Sequence, residues 1–111
     1  MSKERVETSL TWQVTRAVKD IKVFAHVYDG SGKLVAQDDG LPADGFAPAA
    51  WWQVGDVITD TRTVQLGGLP AGTYRVTMGL YDAVTGVRLE ARDASGSRLP
   101  DDEILVGQVT R

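Results

Sequence analysis

Hydrophobic and polar residues alternate with a period of two along most of this chain, most clearly over residues 72–82. Tyr74, Val76, Met78 and Leu80 fall on one side, and Thr73, Arg75, Thr77 and Gly79 on the other. That period belongs to a strand buried on one face, so a central strand is predicted here with the first four residues in the core. Turn chemistry brackets it. Leu69-Pro70-Ala71-Gly72 suits a type I turn, with proline presetting φ at its second position. Asp82-Ala83-Val84-Thr85-Gly86 suits a hairpin loop closed by a glycine at positive φ. The same alternation predicts a first strand over 6–14, with Trp12 in the core, and a second over 21–29. A third follows over 33–37, a Thr-rich strand near an edge over 57–66, a return strand over 87–91 and a closing strand over 103–109. About seven strands at this spacing predict an all-β fold, an immunoglobulin-like antiparallel β-sandwich.

The second strand needs cover on both sides. Ile21, Val23, Ala25 and Val27 form one apolar face, and Phe24, His26 and Tyr28 make the other too apolar for open water. Residues 38–55 show no alternation and are rich in Asp, Gly and Pro, yet they hold Phe46, Trp51 and Trp52. A loop of that length is either functional or packed on its own side chains. It is expected to fold over Phe24, His26 and Tyr28, with at least one of Trp51 and Trp52 touching them. Val27-Tyr28-Asp29 and its Gly-ended turn echo Leu80-Tyr81-Asp82 and its own, as two similar hairpins in one sandwich. Residues 92–102 read as a polar, mobile loop in which Gly96 should tolerate a side chain.

Composition narrows the class. The chain has 111 residues, a net charge of −3 and no cysteine, with a sequence pI near 5.0. One core suffices at this length, so a charged, disordered start over 1–5 and a single domain over 6–111 are expected. Disulfides and thiolate metal sites are excluded. Interspersed charges of acidic balance argue against a nucleic-acid partner or an anionic membrane surface. No apolar run reaches the roughly 18 residues of a spanning helix, so no direct membrane insertion by this segment is expected. No signal peptide is visible; an export signal or anchor would lie outside these residues.

Candidate chemistry is sparse. His26 is the sole histidine, and a packed, hydrogen-bonded ring between Phe24 and Tyr28 is the plainest reading, ahead of a ligand contact. Asp38, Asp39 and Asp44 lack the alternating oxygen spacing of a dedicated calcium loop and suit turn chemistry. Asp101-Asp102-Glu103 reads as a solvated turn. Trp51 and Trp52 are adjacent, so in an extended segment one seals the core and the other faces outward. No Gly-rich phosphate loop, nucleophile elbow or paired-carboxylate motif is present. The expectation is therefore no enzyme, no cofactor and no metal. Any ligand site should lie where aromatic, amide and carboxylate groups converge: His26, Gln37, Asp38, Asp39, Trp51 and Trp52.

Several stretches together resemble a C-terminal β-sandwich domain of bacterial membrane glycosyltransferases of the dolichyl-phosphate-mannose mannosyltransferase type. They are Lys22-Val23-Phe24-Ala25-His26-Val27-Tyr28, Gly32-Lys33-Leu34-Val35-Ala36-Gln37, Asp39-Gly40 with Pro42, Trp52 with Gly55, and Asp60. Leu69-Pro70-Ala71-Gly72-Thr73-Tyr74, Gly79-Leu80-Tyr81-Asp82, Thr85-Gly86 and Arg88-Leu89 complete the set. The resemblance implies an accessory domain on the extracytoplasmic, cell-envelope side that does no chemistry itself. Its partner would be the rest of a parent chain or another envelope protein. A carbohydrate-binding module built on the 37–55 loop, with a glycan as partner, is the rival expectation.

Overall fold

The computed structural model describes residues 4–42, 49–93 and 95–111. Among these residues six strands form: β1 (Arg5–Gln13), β2 (Ile21–Tyr28), β3 (Leu34–Gly40), β4 (Val57–Gln65), β5 (Thr73–Asp82) and β6 (Ile104–Thr110). A two-stranded sheet, β1-β4, faces a four-stranded sheet in the order β3-β2-β5-β6, and every strand pairing is antiparallel. This is the expected all-β sandwich, with six strands in place of seven. Residues 1–3 lie outside the description; at Glu4 the chain already accepts a backbone bond from Leu66 N–H.

The missing strand has a physical reason. β5 is paired along one edge by β2 as far as Asp82, and along the other by β6 only from Thr73 to Met78. The returning arm, 87–89, takes what remains of that second edge. Leu89 N–H donates to Leu80 O and Asp82 N–H to Val87 O, both at 2.9 Å. With so short an edge left, the arm makes one isolated bridge, Tyr81↔Arg88, and turns away.

The core follows the alternation. Val23, Ala25, Val27, Tyr74, Val76 and Met78 are buried against Leu10, Val64, Leu66 and Val109. Leu80 is only half-buried, packing against this cluster and a smaller one of Val14, Ile21, Ala49 and Trp52. It lies beyond the last β6 pair, where the sheet narrows. The Tyr74 hydroxyl donates to Pro70 O, four residues upstream, the corner arrangement of immunoglobulin-like sandwiches. At the hairpin after β5, Asp82 Oδ1 accepts from Val84 and Thr85 N–H, and Gly86 has the expected positive φ of 76°.

The 92–102 segment differs from its expectation as a mobile loop. Asp93 Oδ1 accepts from Ser95 and Ser97 N–H, Arg92 bridges Arg98, and Gly96 sits at φ 87°. Asp93 N–H donates to Ser97 O, and the bonding pattern is that of the turn after β2, where Asp29 Oδ1 accepts from Ser31 and Lys33 N–H.

One charged pair lies inside the sandwich. On β4, Asp60 and Arg62 are 1% and 5% exposed. Arg62 Nε donates to Asp60 Oδ2 at 2.7 Å, and its Nη2 donates to Oδ1 at 2.8 Å. The same guanidinium donates to Leu41 O just beyond β3 and lies against Gly40, which has no side chain in its path. The two sheets are tied together at this point by charge-assisted bonds.

Candidate functional site

The outward face of the four-stranded sheet gathers the chain's chemically distinctive side chains. Alternation turns Phe24, His26 and Tyr28 to this side, and cross-strand register adds their neighbours. Phe24 pairs with Asp39 on β3 and Gly79 on β5, while His26 pairs with Gln37 and Thr77. Tyr28 pairs with Arg75. Gly79 leaves room for the Phe24 ring, since a Cβ at 79 would stand 2.4 Å from Phe24 Cζ. The ring can therefore lie across β5 and remain buried.

Among the described residues, the cover over this face comes from the far end of the chain rather than from Trp51 or Trp52. The Arg88 guanidinium stacks 4.5 Å above the Phe24 ring. Glu103 reaches in from the segment before β6, and its Oε2 accepts from Tyr28 Oη at 3.1 Å and Thr77 Oγ1 at 3.0 Å. Arg88 pairs with the same carboxylate at 3.6 Å. Asp102 accepts a bidentate pair from Arg98 at 3.0 and 2.8 Å and a bond from Ala91 N–H. Asp102 and Glu103 are thus anchors for the 87–103 arm, and the expected solvated turn is corrected accordingly. The Arg98 bond, seconded by Ala91 N–H, holds the Asp102 carboxyl down at about 2.

His26 joins the two halves of this network. Its Nδ1 is 3.4 Å from Tyr28 Oη, and its Nε2 is 3.9 Å from Asp39 Oδ1. Tyr81 Oη donates to Asp39 Oδ2 at 3.3 Å. Burial lowers the His26 pKa from 6.5, and Asp39 opposes that shift only in part. The ring is therefore neutral at pH 7. Burial likewise raises Tyr28 and Tyr81, aided at Tyr81 by the Asp39 carboxylate. The open side of the network lies along β3, where Gln37 and Asp39 are exposed. A hydroxylated ligand could meet an amide, a carboxylate and an imidazole edge there.

The six residues expected to form one site are divided. His26, Gln37 and Asp39 share the outer face. Asp38 turns the other way, its carboxylate 3.8 Å from Arg62 Nη1 at the rim between the sheets. Trp52 is buried on the inner side with Val14, Ile21 and Ala49, its ring edge-on to Trp12 at 5.6 Å. Its position corrects the expectation that Trp52 packs on Phe24, while residues 43–48 of the loop lie outside the described residues. Trp51, one residue earlier on the short turn Ala49–Trp51, is 74% exposed, with Val54 at 69% and Val57 at 65% close by in sequence. Asp44 and Phe46 lie outside the described residues, and among those described no group of three His, Asp or Glu could hold a metal ion.

Sequence reasoning missed Arg88, Glu103, Thr77 and Tyr81 as members of the face. The alternation of β5 had turned Thr77 to that side, and the same period carried on to 81 would have found Tyr81. Arg88 and Glu103 carried no local signal. Among the described residues no helix is long and apolar enough to cross a membrane. Comparison with protein-family models, curated proteins and solved structures gives no significant match.

Proposed function

We propose that the chain is a non-catalytic accessory or interaction domain of an envelope protein, a membrane glycosyltransferase of the type its sequence resembles, held on the extracytoplasmic side. The observation that carries this reading is the exposed apolar group Trp51, Val54 and Val57, mounted on a turn whose next residue, Trp52, is locked in the core. A rigidly held exposed Trp is the side chain that most often dominates a protein interface. The outer-face network supports the same reading, since Arg88, Glu103 and Tyr28 spend their bonding groups on fixing the 87–103 arm. The test is a photo-crosslinking residue at position 51, and at Thr61 as control, in protein added to native envelope membranes. Adducts with a glycosyltransferase from position 51 alone are expected; none from position 51, or equal labelling from both, refutes the reading.

A second reading rests on the Trp51 indole itself, a flat apolar ring suited to stacking on a sugar. In a carbohydrate-binding module it would act with the Gln37, Asp39 and His26 rim. A glycan array separates the two: a hit lost in Trp51→Ala favours the module, and no hit at millimolar glycan favours the protein interface.

A further inference from the structure

Among the described residues, β1 is an edge strand with β4 as its one hydrogen-bonded neighbour. The bonds flanking it show which side β4 takes. Leu66 N–H donates to Glu4 O at 2.7 Å and Val14 N–H to Asp56 O at 2.8 Å, and both continue the register running from Arg5↔Gln65 to Gln13↔Val57. Bonded and non-bonded pairs alternate along an antiparallel ladder. The even residues of β1 therefore bond to β4. Arg5, Glu7, Ser9, Thr11 and Gln13 turn their N–H and C=O groups the other way, where no strand of the described residues pairs with them.

Natural edges are usually blunted by proline, lysine or a bulge. β1 has none of these over its 9 residues. Its two inward residues nearest the ends, Val6 and Trp12, are only half-buried, so apolar surface remains open along the same edge. The outward face is neutral and flat at its centre, where Ser9 bonds Thr61 at 2.7 Å and Thr11 bonds Thr59 at 2.8 Å.

From these features we infer that β1 pairs with β1 of a second copy of this chain, antiparallel about a two-fold axis through Ser9. The sequence of the strand is self-complementary in that register. On the outer face Arg5 lies opposite Gln13, Glu7 opposite Thr11, and Ser9 opposite itself, so no like charges meet. On the inner face Val6 lies opposite Trp12 and Thr8 opposite Leu10, which joins the half-covered apolar residues of the two copies. The odd residues meet as bonded pairs, giving about ten new backbone bonds over the full strand. The result is an isologous contact and one continuous sheet, β4-β1-β1-β4.

Sedimentation of the wild-type chain from micromolar to millimolar concentration should show a reversible dimer. Ser9→Lys sets two ammonium groups against each other on the axis and should weaken the dimer at least tenfold, while Thr61→Lys on β4 should not. Ser9→Cys gives the chain its sole cysteine. Paired Cα atoms at a bonded antiparallel position are about 5.5 Å apart, within disulfide reach, so mild oxidation should cross-link Ser9→Cys faster than Thr61→Cys. A wild-type chain monomeric at millimolar concentration overturns the inference. So does a Ser9→Lys dimer of unchanged strength, or equal cross-linking of the two cysteine variants.

Discussion

Removing Asp60 leaves the Arg62 guanidinium inside the sandwich without its bidentate partner. Arg62 is 5% exposed and Asp60 1%, so neither group regains much water in the folded state. Breaking a buried pair by deleting one member costs about 3–5 kcal/mol. Arg62 would keep its bond to Leu41 O and the half-exposed Asp38 carboxylate at 3.8 Å, which places Asp60→Ala near the lower end, about 3 kcal/mol. Arg62→Met removes the bidentate partner of the Asp60 carboxylate, whose side chain has no exposure, and falls in the same range of about 3–5 kcal/mol. The double variant replaces both charges with apolar groups and should cost far less than the sum of the single losses. Equilibrium urea unfolding followed by tryptophan fluorescence measures all three. With a slope of about 2 kcal/mol per molar, Asp60→Ala should lower the midpoint by roughly 1.5 M. Additive losses, or single variants within about 0.5 kcal/mol of wild type, would refute the claim that this pair couples the sheets.

Three further outcomes follow from the same structure. Gly79→Val should destabilise by about 1–3 kcal/mol or more, because its Cβ would stand 2.4 Å from Phe24 Cζ and 3.0 Å from Asp102 O; a denaturation midpoint equal to wild type would contradict the close packing of Phe24 on β5. Gly86→Val and Gly96→Val should both lower the melting temperature, since both glycines have positive φ, whereas Gly30→Val, in open space, should matter less. Because the folded pKa of His26 lies below 6.5, the unfolded chain binds the proton more readily, so stability should be lost as pH falls from about 6.5 through the folded value. His26→Gln should abolish that slope, and a slope unchanged in the variant would assign the proton uptake elsewhere.

The strands of this protein are written locally. Alternation along 73–82 and 21–28 identified which side chains go inward, because a two-residue period is a property of extended backbone alone. The turns after Tyr28 and Tyr81 were legible for a similar reason: Asp29 and Asp82 bond to N–H groups only a few residues ahead. Adjacency also implied that one of Trp51 and Trp52 would face inward. Which one did so depended on the recess formed by Trp12, Val14, Ile21 and Ala49, drawn from three separate segments.

What only the tertiary structure decided is the order of the strands and everything that order brings together. Nothing near Phe24 in sequence announces that Arg88 and Glu103 will cover it. Their placement follows from β2 and β6 flanking β5, which carries the 87–103 arm across the outer face. Residues 87–91 have strand-like local preference, yet only two bonding positions remained on the edge of β5 beyond β6. Asp60 and Arg62 look like surface charges of a Thr-rich edge strand until β4 is laid over β3 and the chain beyond it. Local pattern sets the conformation of each segment through interactions a few residues long. Strand order and register are set by how the inward faces fill one shared core, and that sum has no local signature.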